Sequence, residues 1–170
     1  MPRPRAGADL IGRIVIELLP EHWVGQRFDL ASNEATLIRF WTDSCPFCAT
    51  SLPAVETLRK RYGPRGLATL GVYHPKPPRP VSDDEIRNAA TRLGYQGPIA
   101  VDAEWKSLRS IWLETGQREA TSFSILCDRQ GVVRFVHPGP EFAPSEDPAH
   151  AQRARDFADL EAAIQVLLDA

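Results

Sequence analysis

The order of elements legible in the chain predicts an α/β fold, a central mixed β-sheet flanked by helices on both faces. Three observations carry that prediction. Two apolar, β-branched runs, residues 36–41 and 67–73, bracket a stretch of helical periodicity and so form a βαβ unit. Two further apolar runs, 123–127 and 132–136, are joined by Asp128-Arg129-Gln130-Gly131, which suits a hairpin whose turn ends in a left-handed residue. A last amphipathic stretch, about 152–168, carries Phe157, Leu160, Ile164 and Leu167 on one stripe and reads as a closing helix.

Taken from the N-terminus, residues 1–9 are rich in Pro and Arg and read as a flexible tail, leaving 10–170 as one domain. Residues 10–19, mostly apolar and β-branched, are expected to be a strand opening an N-terminal β-hairpin, with its turn at Pro20-Glu21-His22. From Cys45 onward a helix is expected, since Cys48, Leu52, Val55, Leu58 and Tyr62 recur at three- and four-residue spacing. Pro53 should kink it and Gly63-Pro64 end it. Residues 74–80 hold too many prolines for an element. Ser82 followed by three acids opens the next helix, and Gly94 closes it. A short strand at 99–101 and a helix over 104–115, with Trp105, Leu108, Ile111 and Trp112 on its face, come next.

Composition narrows the function classes. The 43% hydrophobic and 25% charged content is that of a soluble globular domain. A net charge of −2 gives no reason to expect nucleic acid or an anionic membrane as partner. No apolar run is long enough to span a bilayer. No secretory leader is legible, so the expected location is the cytoplasm, with the periplasm as alternative. Three cysteines are too few for a disulfide scaffold.

The chemistry centres on Cys45-Pro46-Phe47-Cys48. Two cysteines at that spacing can close a small disulfide ring or grip a metal. A strand ending before the first cysteine and a helix starting at it place its sulfur over unpaired backbone N–H groups, where a thiolate is favoured. A thiolate at Cys45 is a nucleophile, and Cys48, one turn along and facing inward, can attack the resulting mixed disulfide.

Phe40-Trp41, then Cys45-x-x-Cys48, then Pro53 inside the helix, resemble the thioredoxin superfamily. The likeness is to its TlpA/ResA-like branch of thiol–disulfide oxidoreductases, grouped with the alkyl hydroperoxide reductase/thiol-specific antioxidant proteins. The resemblance implies a thioredoxin fold with an inserted helix–strand at 99–115, no organic cofactor, protein dithiol and disulfide substrates, and an upstream thiol reductant. A single Cys-x-x-Cys without a second pair or a His-x-His gives no reason to expect a metal. Carried over by position, Cys45 and Cys48 are the catalytic pair, and Trp41, Pro46, Phe47, Thr121 and Ser122 line the substrate edge.

The chain departs from that pattern in four places. Ser122 stands where the family places a cis-proline. A cis bond before a non-proline residue costs about 3–4 kcal/mol, so Thr121–Ser122 is expected to be trans. Arg39 stands where thioredoxin carries a buried acid, Ser51 where ResA-like proteins carry a glutamate, and Ser44 where a tryptophan is common. Glu56 or a water is then left as proton acceptor for Cys48.

Two other readings compete. Thr42 lies three residues before Cys45, as in peroxiredoxin-like thiol peroxidases, but Ile38 replaces their proline. A thioredoxin-like binding module, holding a peptide or a metal through the cysteine pair, is the other. Cys127 reads as a buried small hydrophobe, His74 and His137 as loop histidines bonded to local backbone, Trp105 and Trp112 as core, and Arg59-Lys60-Arg61 as a solvated helix end.

Overall fold

The computed structural model describes residues 6–116, 120–139 and 141–170. Six strands form one mixed sheet in the order β1-β4-β3-β2-β5-β6. They are β1 (Trp23–Val24), β2 (Ala35–Trp41), β3 (Leu67–Tyr73), β4 (Ile99–Val101), β5 (Phe123–Asp128) and β6 (Val133–His137). β2 lies at the centre, parallel to β3 with Ala35 opposite Leu67 and Trp41 opposite Tyr73, and antiparallel to β5. All of its residues are buried. A strand covered on both faces has no reason to alternate polar and apolar residues, which is why it reads as a continuous run.

Successive side chains of β2 feed two separate cores. Leu37 and Trp41 meet Leu52, Val55 and Leu58 of α1 (Cys48–Tyr62), Ile86 of α2 (Asp83–Arg92), and Phe157, Leu160 and Ile164 of α4 (Ala151–Leu168). Ile38 and Phe40 point the other way, to Leu108, Ile111 and Trp112. The expected helix over 104–115 is one α-turn, α3 (Lys106–Leu108), running into a π-helical turn at Arg109–Leu113. The Asp102 carboxylate holds its start, accepting from the Ser107 and Leu108 N–H groups at 3.0 and 2.8 Å. The wider turn lets Ile111 and Trp112, adjacent in sequence, both be buried.

Residues 10–19 do not form the expected strand, and among the described residues there is no N-terminal hairpin. The segment makes 3₁₀ turns at Ala8–Leu10 and Ile16–Leu18, with a single bridge from Ile14 to Val132 beside β6. Leu10 and Val15 explain this. An odd separation would send them to opposite faces of a strand, whereas both are buried in the same core. The chain turns between them at Gly12, which has φ 88°. The sheet's other edge is capped by the short β1, antiparallel to β4. Of the tail expected over 1–9, residues 1–5 lie outside the described residues. Packing already begins at Gly7, where an added Cβ would lie 2.6 Å from Val136 and 3.0 Å from Trp112.

Candidate dithiol site

β2 delivers the chain to the site through a turn at Asp43-Ser44, anchored where the Tyr73 hydroxyl donates to Asp43 at 3.1 Å. The helix α1 begins at Cys48, three residues later than expected, and Cys45 occupies the turn that precedes it. The Cys48 N–H donates to the Cys45 carbonyl at 3.1 Å, which folds the two cysteines onto one another. Both thiols are free. Cys45 is half-buried, while Cys48 is fully buried, so an incoming sulfur can reach only the first.

Beneath Cys48 lies Arg39, on the α1 face of β2 and without solvent exposure. Its guanidinium donates to the Ser124 hydroxyl at 3.3 Å and reaches the Gly139 carbonyl at 3.5 Å. It also lies 5.5 Å from the centre of the Phe142 ring, and its partner Ser124 is two residues along the chain from Ser122, whose hydroxyl meets the Cys48 sulfur. Burial lowers the guanidinium's pKa, and the Cys48 and Cys45 sulfurs oppose that shift. Ser51, one turn along α1, accepts from the Phe142 N–H at 3.3 Å.

Glu56 is not available to take a proton from Cys48. Eight residues further along α1, it lies on the order of 12 Å away at the helical rise. Its carboxylate accepts from Arg59 at 2.5 and 3.0 Å and from the Gln96 N–H at 3.1 Å. Burial alone would raise its pKa, but these hydrogen bonds outweigh burial and hold it below the usual carboxylate value.

A cleft of about 400 Å³ opens over Cys45, lined by Ser44, Pro46, Phe47, Ala120, Thr121 and Ser122. Pro46 and Phe47 are the exposed lip, with Phe47 at 45% exposure. Ser122 brings its hydroxyl to 3.4 Å from the Cys48 sulfur, and the Thr121–Ser122 bond is trans as expected. The 120–122 edge is held from the core. The Trp112 indole N–H donates to the Ala120 carbonyl at 2.7 Å, and its ring stacks on Phe123, which stacks on Phe40.

Lys76 also lines the cleft, and sequence reasoning missed it. It comes from the proline-rich loop after β3, and only the pairing of β3 with β2 brings that loop to the cysteines. Trp41 is the opposite case. It was expected at the substrate edge, yet it is fully buried on Tyr73 with ring centres 4.9 Å apart. Gly71 makes the room, since a Cβ there would sit 2.9 Å from the Trp41 indole nitrogen.

Neither histidine behaves as a loop residue. His74 is buried against Trp105, with no hydrogen bond to either ring nitrogen among the described residues. Burial, with help from Lys76 and Arg39, pushes its pKa down to about 3. His137 is bonded to Asp156 at 2.9 Å. Thr42, the peroxidase-like threonine, is fully buried and does not line the cleft.

Comparison with known proteins agrees with this geometry. The Redoxin family profile matches residues 22–153. The chain belongs to the Redoxin family. Thiol-disulfide oxidoreductase YkuV of Bacillus subtilis is 30% identical over 113 residues, covering 66% of this chain and 72% of that protein. Protein DipZ of Mycobacterium tuberculosis is 29% identical over 110 residues, 63% of this chain. The match spans only 15% of DipZ's own length. Among solved structures, a thiol:disulfide interchange protein of the thioredoxin family from Chlorobium tepidum superposes with a TM-score of 0.57 at 18% identity. That match covers 81% of this chain and 82% of the other, and it shows the thioredoxin fold. The expected TlpA/ResA-like membership of the thioredoxin superfamily therefore stands.

Proposed function

We propose that this chain is a thiol–disulfide oxidoreductase in which Cys45 exchanges with the substrate and Cys48 resolves. The observation that carries the reading is the unequal access of the two sulfurs, one open to the cleft and the other fully buried behind it. In the reducing direction the Cys45 thiolate attacks a substrate disulfide, forms a mixed disulfide and releases one thiolate. Cys48 then attacks Cys45, closes the internal disulfide and releases the second thiolate, so two electrons move to the substrate. The reverse sequence oxidises a substrate dithiol.

Pro46, Phe47, Thr121 and Ser122 form the binding edge in this reading. Phe47 offers an apolar surface and the 121–122 backbone offers polar groups, a combination that suits an extended segment of a protein substrate. Lys76 adds a cation at the rim. An upstream thiol reductant would recharge the pair. The small number of cysteines, with Cys127 buried on β5, supports a reducing compartment such as the cytoplasm, with the periplasm as alternative. Among the described residues no helix is long and apolar enough to cross a membrane.

The test is exchange with a model protein disulfide by wild type, Cys45→Ser and Cys48→Ser. Wild type should turn over, Cys48→Ser should accumulate a mixed disulfide through Cys45, and Cys45→Ser should do neither. Equal trapping by both variants would defeat the assignment of roles. Rapid hydrogen peroxide consumption with sulfenic acid at Cys45 would favour the peroxidase reading.

A further inference from the structure

We propose that Arg39 is a fixed counter-charge that favours the reduced Cys45–Cys48 pair over its disulfide and so sets the direction of electron flow. The inference rests on that pair being the exchanging centre. Its grounds are positional. Arg39 lies on the central strand, on the face that carries α1, directly under a cysteine that is itself buried. Its guanidinium donates to the Ser124 hydroxyl of β5 and reaches the Gly139 carbonyl of the loop behind. Two residues before Ser124, the Ser122 hydroxyl meets the Cys48 sulfur at 3.4 Å, so guanidinium and sulfur share one buried neighbourhood. A guanidinium keeps its charge, has five donors and no acceptor, and cannot serve as a base.

The two redox states therefore meet Arg39 differently. The disulfide is neutral. Adding two electrons gives two sulfurs that carry negative charge until they are protonated, and Arg39 holds a cation near them in surroundings with little water to screen it. Arg39 thus stabilises the reduced product and leaves the disulfide unaided. A carboxylate at this place would do the reverse, repelling a thiolate and accepting its proton. The pair is consequently expected to be a readier electron acceptor than the same site with a neutral residue at 39. A protein dithiol is the substrate class that reduces it, passing two electrons to the Cys45–Cys48 disulfide and leaving as a disulfide.

A structural reading of Arg39 also exists, since it ties β5 and the 139 loop to β2. That role would move stability and leave the potential alone, so the potential decides. The pair should be equilibrated in glutathione buffers for wild type, Arg39→Met and Arg39→Lys, with the oxidised fraction read by thiol labelling and mass. Arg39→Met is expected to shift the equilibrium at least tenfold toward the disulfide, a fall of about 30 mV for a two-electron couple. Arg39→Lys, which keeps the charge, should lie nearer wild type than Arg39→Met. A smaller or opposite shift in Arg39→Met, or a lysine variant that behaves like methionine, would overturn the proposal.

Should Arg39→Met not fold, wild type alone still tests the idea. Stabilisation of the reduced form predicts that reduced protein melts above oxidised protein, and the opposite order overturns it. If wild type forms no reversible internal disulfide, the exchange reading fails at that earlier step and this inference falls with it.

Discussion

Two buried charges lie along the helix α1, Glu56 just past its middle and Arg39 of β2 beneath its N-terminal end, and the two are held in different ways. Glu56, toward its C-terminal half, is gripped by a two-point contact from Arg59 and by the Gln96 N–H. Arg39, under its N-terminal end, meets a hydroxyl, a carbonyl and an aromatic face, in the same buried neighbourhood as Cys48. The first arrangement satisfies a carboxylate with hydrogen bonds that do not change during a redox cycle, so its effect is on stability. The second places a charge against the one group in the neighbourhood that gains and loses electrons. Burial of a charge is therefore not in itself a sign of function. What the charge faces decides.

The comparison can be broken most directly at Glu56. Glu56→Ala strands the Arg59 guanidinium and the Gln96 N–H, and should cost about 3 kcal/mol, the lower end for breaking a buried pair because Arg59 is partly exposed. Denaturant unfolding would measure the loss. The glutathione equilibrium of the pair should stay at the wild-type value, and a tenfold change in it would erase the distinction between the two charges.

Next in size is Gly71→Ala, which pushes a methyl group against Trp41 and Tyr95, at 2.9 and 3.1 Å. Overpacking of this kind costs about 1–3 kcal/mol. Trp41 lies on the same face of β2 as Arg39, so a redox shift accompanying the lost stability would show that the position of Arg39, and not only its charge, matters. Ser124→Ala removes one acceptor from Arg39 and should destabilise by about 1 kcal/mol.

The pH dependence separates the two charges further. Because the folded pKa of Glu56 is lowered, its contribution is fully present above the unfolded carboxyl value of about 4.3 and disappears as pH falls through the folded value. Wild type and Glu56→Gln should therefore converge in stability below that pH. Persistence of the full difference in acid would mean that the pair acts through packing. The smallest effect concerns Cys127. Burial, with a lesser push from Asp128, raises its thiol pKa to about 12, so native protein at pH 8 should be labelled at Cys45 and not at Cys127 until unfolded.

Much of the fold was legible because its signals are local. The run at 36–41, the periodic helix with Pro53, the Ser82 cap and the Asp128–Gly131 turn each announce themselves within a few residues. The errors arose where distant contacts decide. Residues 10–19 have strand-like composition, but their shape follows from seating Leu10 and Val15 in one core. Trp41 looked available for substrate because Gly71, thirty residues away, leaves room to bury it. The π-helical turn at Arg109–Leu113 has no local marker. At the site, Arg39 was conspicuous as a substitution against the resemblance, yet its nearness to Cys48 depended on how α1 lies over β2. Lys76 carried no signal, since its loop is brought to the cleft by strand pairing alone.

The stack of Phe40, Phe123 and Trp112 has a wider consequence. It ends in the hydrogen bond that fixes the Ala120 carbonyl, so one wall of the cleft is mounted on the interior of the sheet's far side. A change of volume at Phe40, which no substrate would touch, can tilt that wall and alter which partners fit. Variation in such hidden positions gives this protein a route to new partners that leaves its two sulfurs and the lip around them untouched.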